Sequence, residues 1–157
     1  MNIFILHDDP VKAAHMMCDK HVIKMILESN QMLSTVARIH GHDAPYRSTH
    51  ANHPCTLWTG ESYDNWRWLV KHSRALCEEY TMRYGKIHKS QAVTEWAESL
   101  NIDLPSKGQT PFCLAMPDEY KTSDPVESYR KYYAGAKAYF AKWKSGNIPD
   151  WWKEKKL

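Results

Sequence analysis

Residues 3–6, Ile-Phe-Ile-Leu, form a short apolar run that predicts one strand or an extended lead-in packed under the first helix. Asp9-Pro10 follows as a cap with proline at the first helical position. No Pro or Gly then interrupts the chain to Ile39, and Val22, Met25, Ile26, Ser29, Leu33 and Val36 recur at helical spacing. One long amphipathic helix ending at Gly41 is expected. The polar stretch 40–55, with His40, His42, Pro45, His50, His53 and Pro54, predicts a long loop of the kind that often carries function. A second helix is expected over Thr56–Tyr84, stopped by Gly85, and a third over Lys89–Leu100. Pro105–Lys121 is expected to be a loop. Asp124-Pro125 repeats the cap-plus-proline device and opens a fourth helix, to Lys144 with Gly146 as its stop. The tail Ile148–Trp152 is expected to fold back on the body.

This pattern predicts one all-α domain over residues 1–157, mostly helical, with at most one short N-terminal strand. The 43% hydrophobic and 25% charged residues are ordinary for a globular protein and exclude a largely disordered chain. A net charge of +3 permits an anionic partner without requiring one. Four scattered cysteines without a CxxC pair argue against a zinc finger or a disulfide framework and for reduced, mostly buried thiols. No window approaches the roughly 20 apolar residues of a membrane span. The start lacks a basic segment and Asp8-Asp9 interrupts it, so a cytoplasmic protein that meets no membrane is expected.

Nine histidines are the first hint of chemistry. His15 and Asp19, four apart, could hydrogen-bond at the rim of the apolar stripe. His21, Lys24 and Glu28 share another face and could supply a base, an amine and an acid, although a solvated helix face would read the same way. His50-Ala-Asn-His53-Pro-Cys55 gathers two imidazoles and a thiol. That raises a zinc site, but a fourth ligand is not evident, and Trp58 stands where a zinc deaminase would have its second cysteine. No cofactor is called for. Aromatic and basic residues interleave at Trp58–Trp68 with Arg67, and again at Tyr129-Arg130-Lys131-Tyr132-Tyr133, continuing to Lys137, Tyr139, Lys142 and Trp143. Rings that stack on bases and cations that meet phosphates would make a nucleic-acid surface. The same rings could equally be core.

Three segments together resemble the phage pyrimidine-dimer DNA glycosylase family of the endonuclease V type. They are Ala14–Asp19, then His53-Pro-Cys-Thr-Leu-Trp58 with a long helix ending in Arg83-Tyr84-Gly85, and Tyr129–Tyr139. The resemblance covers about two-thirds of the chain. It implies a small helical fold, binding of damaged duplex DNA, and cleavage of the N-glycosidic bond by an N-terminal amine working with a Glu on the first helix. The residue after Met1 is Asn2, and the positions matched to that Glu hold His21 and Val22, so neither catalytic residue carries over by position. Cys-Asp-Lys-His and His-Pro-Cys segments also resemble small proteins of phages and bacteria with no assigned activity.

The expectation from these readings is an enzyme acting on nucleic acid or a nucleotide, DNA first, at a base or its glycosidic bond. Asp19, His21, Lys24, Glu28, His53 and Cys55 form the candidate catalytic set, with Lys24 as a possible imine former. Arg47, Trp58, Arg67, Tyr129, Arg130, Lys131, Tyr133 and Lys137 form the candidate nucleic-acid surface. The alternatives are a non-catalytic phage accessory module that binds nucleic acid or a host protein, and a metal-dependent hydrolase using His50, His53 and a first-helix His or Asp. The enzyme reading requires that the first helix and the turn in the 50s meet at one hollow.

Overall fold

A computed structural model describes residues 1–144 and 147–155. Seven α-helices and no strand occur among the described residues: α1 (Pro10–His15), α2 (Asp19–Ile39), α3 (Pro54–Glu61), α4 (Tyr63–Tyr84), α5 (Gln91–Ser99), α6 (Pro125–Ala136) and α7 (Asp150–Lys155). A short 3-10 turn covers Asp118–Tyr120. Residues 3–6 are buried without regular structure and pair with no strand, so they are the lead-in rather than a sheet.

The first two expected helices are each broken, and the breaks have tertiary causes. Between α1 and α2, Cys18 is extended and its N–H donates to the Tyr133 hydroxyl at 3.1 Å. The carbonyls that α1 leaves open are taken by Arg83 of α4, at 2.8 Å from Met17 O and 3.2 Å from His15 O. No residue near position 17 signals this corner, because its partners lie far along the chain. The break at Ser62 was readable: Ser62 is extended (φ −153°) and its hydroxyl accepts from Asn65 N, an N-cap for α4. Gly85 (φ +70°) ends α4 as expected. Asp9 and Asp124 cap α1 and α6, each followed by its proline.

α4 is the central helix and packs on α1, α2, α3 and α5. The core runs from Ile3 and Leu6 through Val22, Ile26 and Leu33 of α2 to Trp66, Leu69 and Leu76 of α4. α6 stops at Ala136, short of the expected Lys144; the expected stop at Gly146 lies outside the described residues. The chain beyond α6 does return. Trp143 Nε1 donates to Met16 O at 3.0 Å, Asp19 N donates to Lys142 O at 2.8 Å, and Trp152 is buried. These bonds fix the start of α2, the helix that carries the candidate site.

Candidate functional site at the head of the chain

The first residues are held by Asn2. Its Oδ1 accepts from the N–H groups of Ile3 and Phe4 at 2.8 and 2.9 Å, and its Nδ2 donates to Ala115 O at 2.7 Å. This turn places Phe4 at φ +56°, a left-handed conformation that a phenylalanine rarely adopts. The strain, on the order of 1 kcal/mol or more, persists only where surrounding contacts impose it. Here the Phe4 ring is stacked on His21 with centroids 4.3 Å apart.

The result is an amine–carboxylate pair. Glu28 Oε1 lies 3.0 Å from Asn2 N, which donates to it, and 3.4 Å from the Met1 amine. Glu28 sits on α2, and its side chain is only 11% exposed. The pair borders an open hollow of about 400 Å³, lined also by Phe4, Lys20, His21, Lys24, Met25, Tyr132, Lys137, Tyr139 and Phe140. The ammonium of Lys137 lies over the Phe4 and Tyr132 rings, and that of Lys20 over Phe140. Lys24 also borders a second groove of about 710 Å³, whose lining includes Ile23, Leu27, Arg47, His88 and Lys89. A carboxylate against an amine, cations around it and flat rings at its mouth suit an anionic, aromatic ligand.

The candidate catalytic residues do not all meet here. Lys24 and Glu28 line the hollow. His53 is half-buried, with the chain-start amine, His50 and Glu28 as its charged neighbours; burial, then the positive charges, lower its pKa. Its Nδ1 accepts from Cys55 N and caps α3. His53 does not line the hollow. His21 lines the hollow as a neutral, fixed ring. Its Nδ1 is 2.7 Å from the Tyr133 hydroxyl, and burial reinforced by Lys137, Lys24 and Lys20 lowers its pKa to about 3.

Asp19 turns elsewhere, to Arg83 at 3.0 Å. The expected His15–Asp19 pair does not form, because the two stand on different helices and His15 is next to Glu79. Cys55 is fully buried with its sulfur 4.0 Å from Asn2 Oδ1, and its thiol is held protonated by Cys113 and by burial. It is placed under the chain start rather than in the hollow. His50 spends Nδ1 on Thr49 Oγ1, and no cluster of three or more His, Cys, Asp or Glu suited to a metal occurs among the described residues.

The candidate nucleic-acid residues divide. Lys137 lines the hollow and Arg47 the adjoining groove. Lys131 is exposed. Trp58, Tyr129 and Tyr133 are core: Trp58 donates to Thr110 O, Tyr129 to Cys113 O, and Tyr133 to Cys18 Sγ. Arg130 is turned inward to Leu6 O at 2.9 Å, under the Trp151 ring. Arg67 is exposed on α4 beside Tyr63 and borders different hollows. The residues not foreseen are Phe4, Lys20 and Phe140, whereas the chain-start amine was expected only through the family resemblance. The Asn at position 2, a turn-forming side chain just before an apolar run, was the one available signal for Phe4.

These features define a small helical protein whose candidate site is an amine–carboxylate pair in a cationic, aromatic-lined hollow. The family model of the pyrimidine dimer DNA glycosylases matches residues 1–102, and the chain belongs to that family. The match contains Met1, Asn2, Lys24, Glu28 and His53, and ends before the segment that brings Tyr132, Lys137 and Phe140. Comparisons with curated proteins and with solved structures return no match. No helix among the described residues is long and apolar enough to cross a membrane.

Proposed function

We propose that the protein cleaves the N-glycosidic bond of damaged pyrimidines in duplex DNA, with the amine at the head of the chain as nucleophile and Glu28 as its proton acceptor. The observation that carries this is the single carboxylate oxygen within 3.4 Å of both the residue 1 and residue 2 nitrogens. The nitrogens of residue 1 and residue 2 both lie against Glu28, so the amine role passes to Asn2 where Met1 is removed. In the reaction the amine nitrogen bonds to the sugar C1′ as the C1′–base bond breaks. Glu28 takes the amine proton, and the base leaves with a proton from solvent. Opening of the sugar gives an imine, whose β-elimination breaks the 3′ C–O bond to phosphate. Lys20, Lys24 and Lys137 hold the flanking phosphates, and Phe4, Tyr132 and Phe140 give flat surfaces for bases.

Lys24 Nζ lines the same hollow and is the second candidate amine. One experiment separates the two. The protein is incubated with abasic or pyrimidine-dimer duplex and borohydride, and the adduct is mapped. Reduction on residue 1 or 2 supports the proposal. An adduct on Lys24 transfers the role to that side chain, and no adduct or strand cleavage with either duplex rejects imine chemistry.

A further inference from the structure

Residues 100–117 carry no regular element and pass beside Asn2. In this segment Cys113 places its sulfur 3.4 Å from that of Cys55. Cys55 is fully buried in the first turn of α3, whereas Cys113 is half-buried. The other cysteines have no thiol partner at that range: Cys18 meets the Tyr133 hydroxyl at 3.1 Å and Cys77 the Thr94 hydroxyl at 3.8 Å. A disulfide needs about 1.4 Å of further approach between the two sulfurs. Pro54 and the His53 cap fix Cys55, so the movement falls on the irregular segment that holds Cys113.

We infer that Cys55 and Cys113 are a two-electron redox site, at which an oxidant of the peroxide class joins α3 to the 100–117 segment by a reversible disulfide. Cys113 thiolate attacks one peroxide oxygen. The O–O bond breaks, hydroxide leaves as water after taking a proton, and Cys113 becomes a sulfenic acid. The Cys55 sulfur then attacks the Cys113 sulfur. The S–S bond forms, the S–O bond breaks, and the departing hydroxyl takes the Cys55 proton as a second water. Two thiols are oxidised and one peroxide is reduced to two waters. The order follows from the site. Cys113 is the less buried residue, and once it ionises the Cys55 thiol donates to it, which lowers its pKa, while that same bond and then burial keep Cys55 protonated.

The bridge acts on the chain start. Asn2 Nδ2 donates to Ala115 O, two residues beyond Cys113, and Asn2 Oδ1 is 4.0 Å from Cys55 Sγ. Drawing the sulfurs together shifts both supports of Asn2, and with them its N–H bond to Glu28.

The test treats the native full-length chain with dilute hydrogen peroxide, then unfolds and alkylates it. The expected result is a mass about 2 Da lower before alkylation, then a Cys55–Cys113 peptide, two alkylated thiols in place of four, and reversal by dithiothreitol. Cys113→Ser is expected to form no bridge and to keep Cys55 reduced. Oxygen added to Cys113 with Cys55 still alkylatable, a bridge to Cys18 or Cys77, or four thiols remaining after treatment would each overturn the inference. Imine trapping with cyanoborohydride, which leaves disulfides intact, is expected to slow several-fold in the bridged protein, and equal trapping refutes the coupling to Asn2. Absence of trapping in the reduced protein counts against the glycosylase reading and leaves the mass measurement to decide the redox site.

Discussion

Arg83→Met should be among the most destabilising single changes in the chain. The Arg83 side chain is fully buried and its guanidinium meets four acceptors: Glu79 Oε1 at 2.9 Å, Asp19 Oδ1 at 3.0 Å, Met17 O at 2.8 Å and His15 O at 3.2 Å. Methionine fills much of the volume but leaves Glu79, whose side chain is 2% exposed, with only the exposed His15 ring at 3.8 Å beside its buried carboxylate. Breaking a buried pair in this way costs about 3–5 kcal/mol. The two carbonyls at the end of α1 lose their donors as well, at about 1 kcal/mol each if water cannot reach them. The costs overlap, so about 4 kcal/mol is expected, a large part of the roughly 5–15 kcal/mol of an ordinary domain. Urea unfolding followed by circular dichroism measures it as a lower midpoint at unchanged slope. Arg83→Met with Glu79→Leu removes the stranded charge and should recover more than half of the loss. A single-variant loss under about 1 kcal/mol, or a double variant no better than the single, would refute the reasoning.

Four further outcomes are expected. Glu28→Gln keeps the shape but not the proton acceptor, and single-turnover trapping should slow by about 10²–10⁴-fold; a rate within threefold of the native one removes Glu28 from the chemistry. His21 is neutral when folded, with a pKa of about 3, and has an ordinary pKa of 6.5 when unfolded. Its contribution is therefore complete above pH 6.5 and is lost as pH falls toward 3, about 2 kcal/mol being lost by pH 5. Urea midpoints of the native chain and His21→Gln at pH 7 and 5 should differ in pH dependence by about that amount, and parallel curves would contradict it. A methyl at Gly135 would stand 2.6 Å from Tyr120 Cε1, so Gly135→Ala should cost about 1–3 kcal/mol and be relieved by Tyr120→Ala, as thermal midpoints would show. Replacing Lys20, Lys24 and Lys137 one at a time should each lower the salt slope of duplex affinity by about one unit; no change in slope would place the phosphates elsewhere.

How much of this could be read in the sequence depended on the distance of each cause. The caps at Asp9 and Asp124 and the stop at Gly85 are local, and all three stand where the pattern placed them. The corner at residues 16–18 is made by Tyr133 and Arg83, more than 60 positions away, so an uninterrupted helix was the natural reading. Trp58, Tyr129 and Tyr133 carry the same ring chemistry as Tyr132 and Phe140, and only the packing sorts core from mouth. Glu28 was legible as one of three polar residues on a helix face. Its partner came only from the family resemblance, because a main-chain nitrogen has no side-chain signature. Matching by position pointed to residues 21–22; the carboxylate that meets the nitrogens of residues 1 and 2 stands at 28.

The site is thus assembled from ends rather than from an element. Asn2 is fixed by Ala115, Glu28 by the helix whose first residue is held by Lys142 O and Arg83, and the rings and Lys137 come from the chain after position 130. The family match covers only the first of these contributions with α2. A hollow built from separated pieces acquires its geometry only when the whole chain has folded. Strain such as the left-handed Phe4 is then imposed by closure of the C-terminal part, since Lys137, Tyr132 and Tyr133 all lie against that ring.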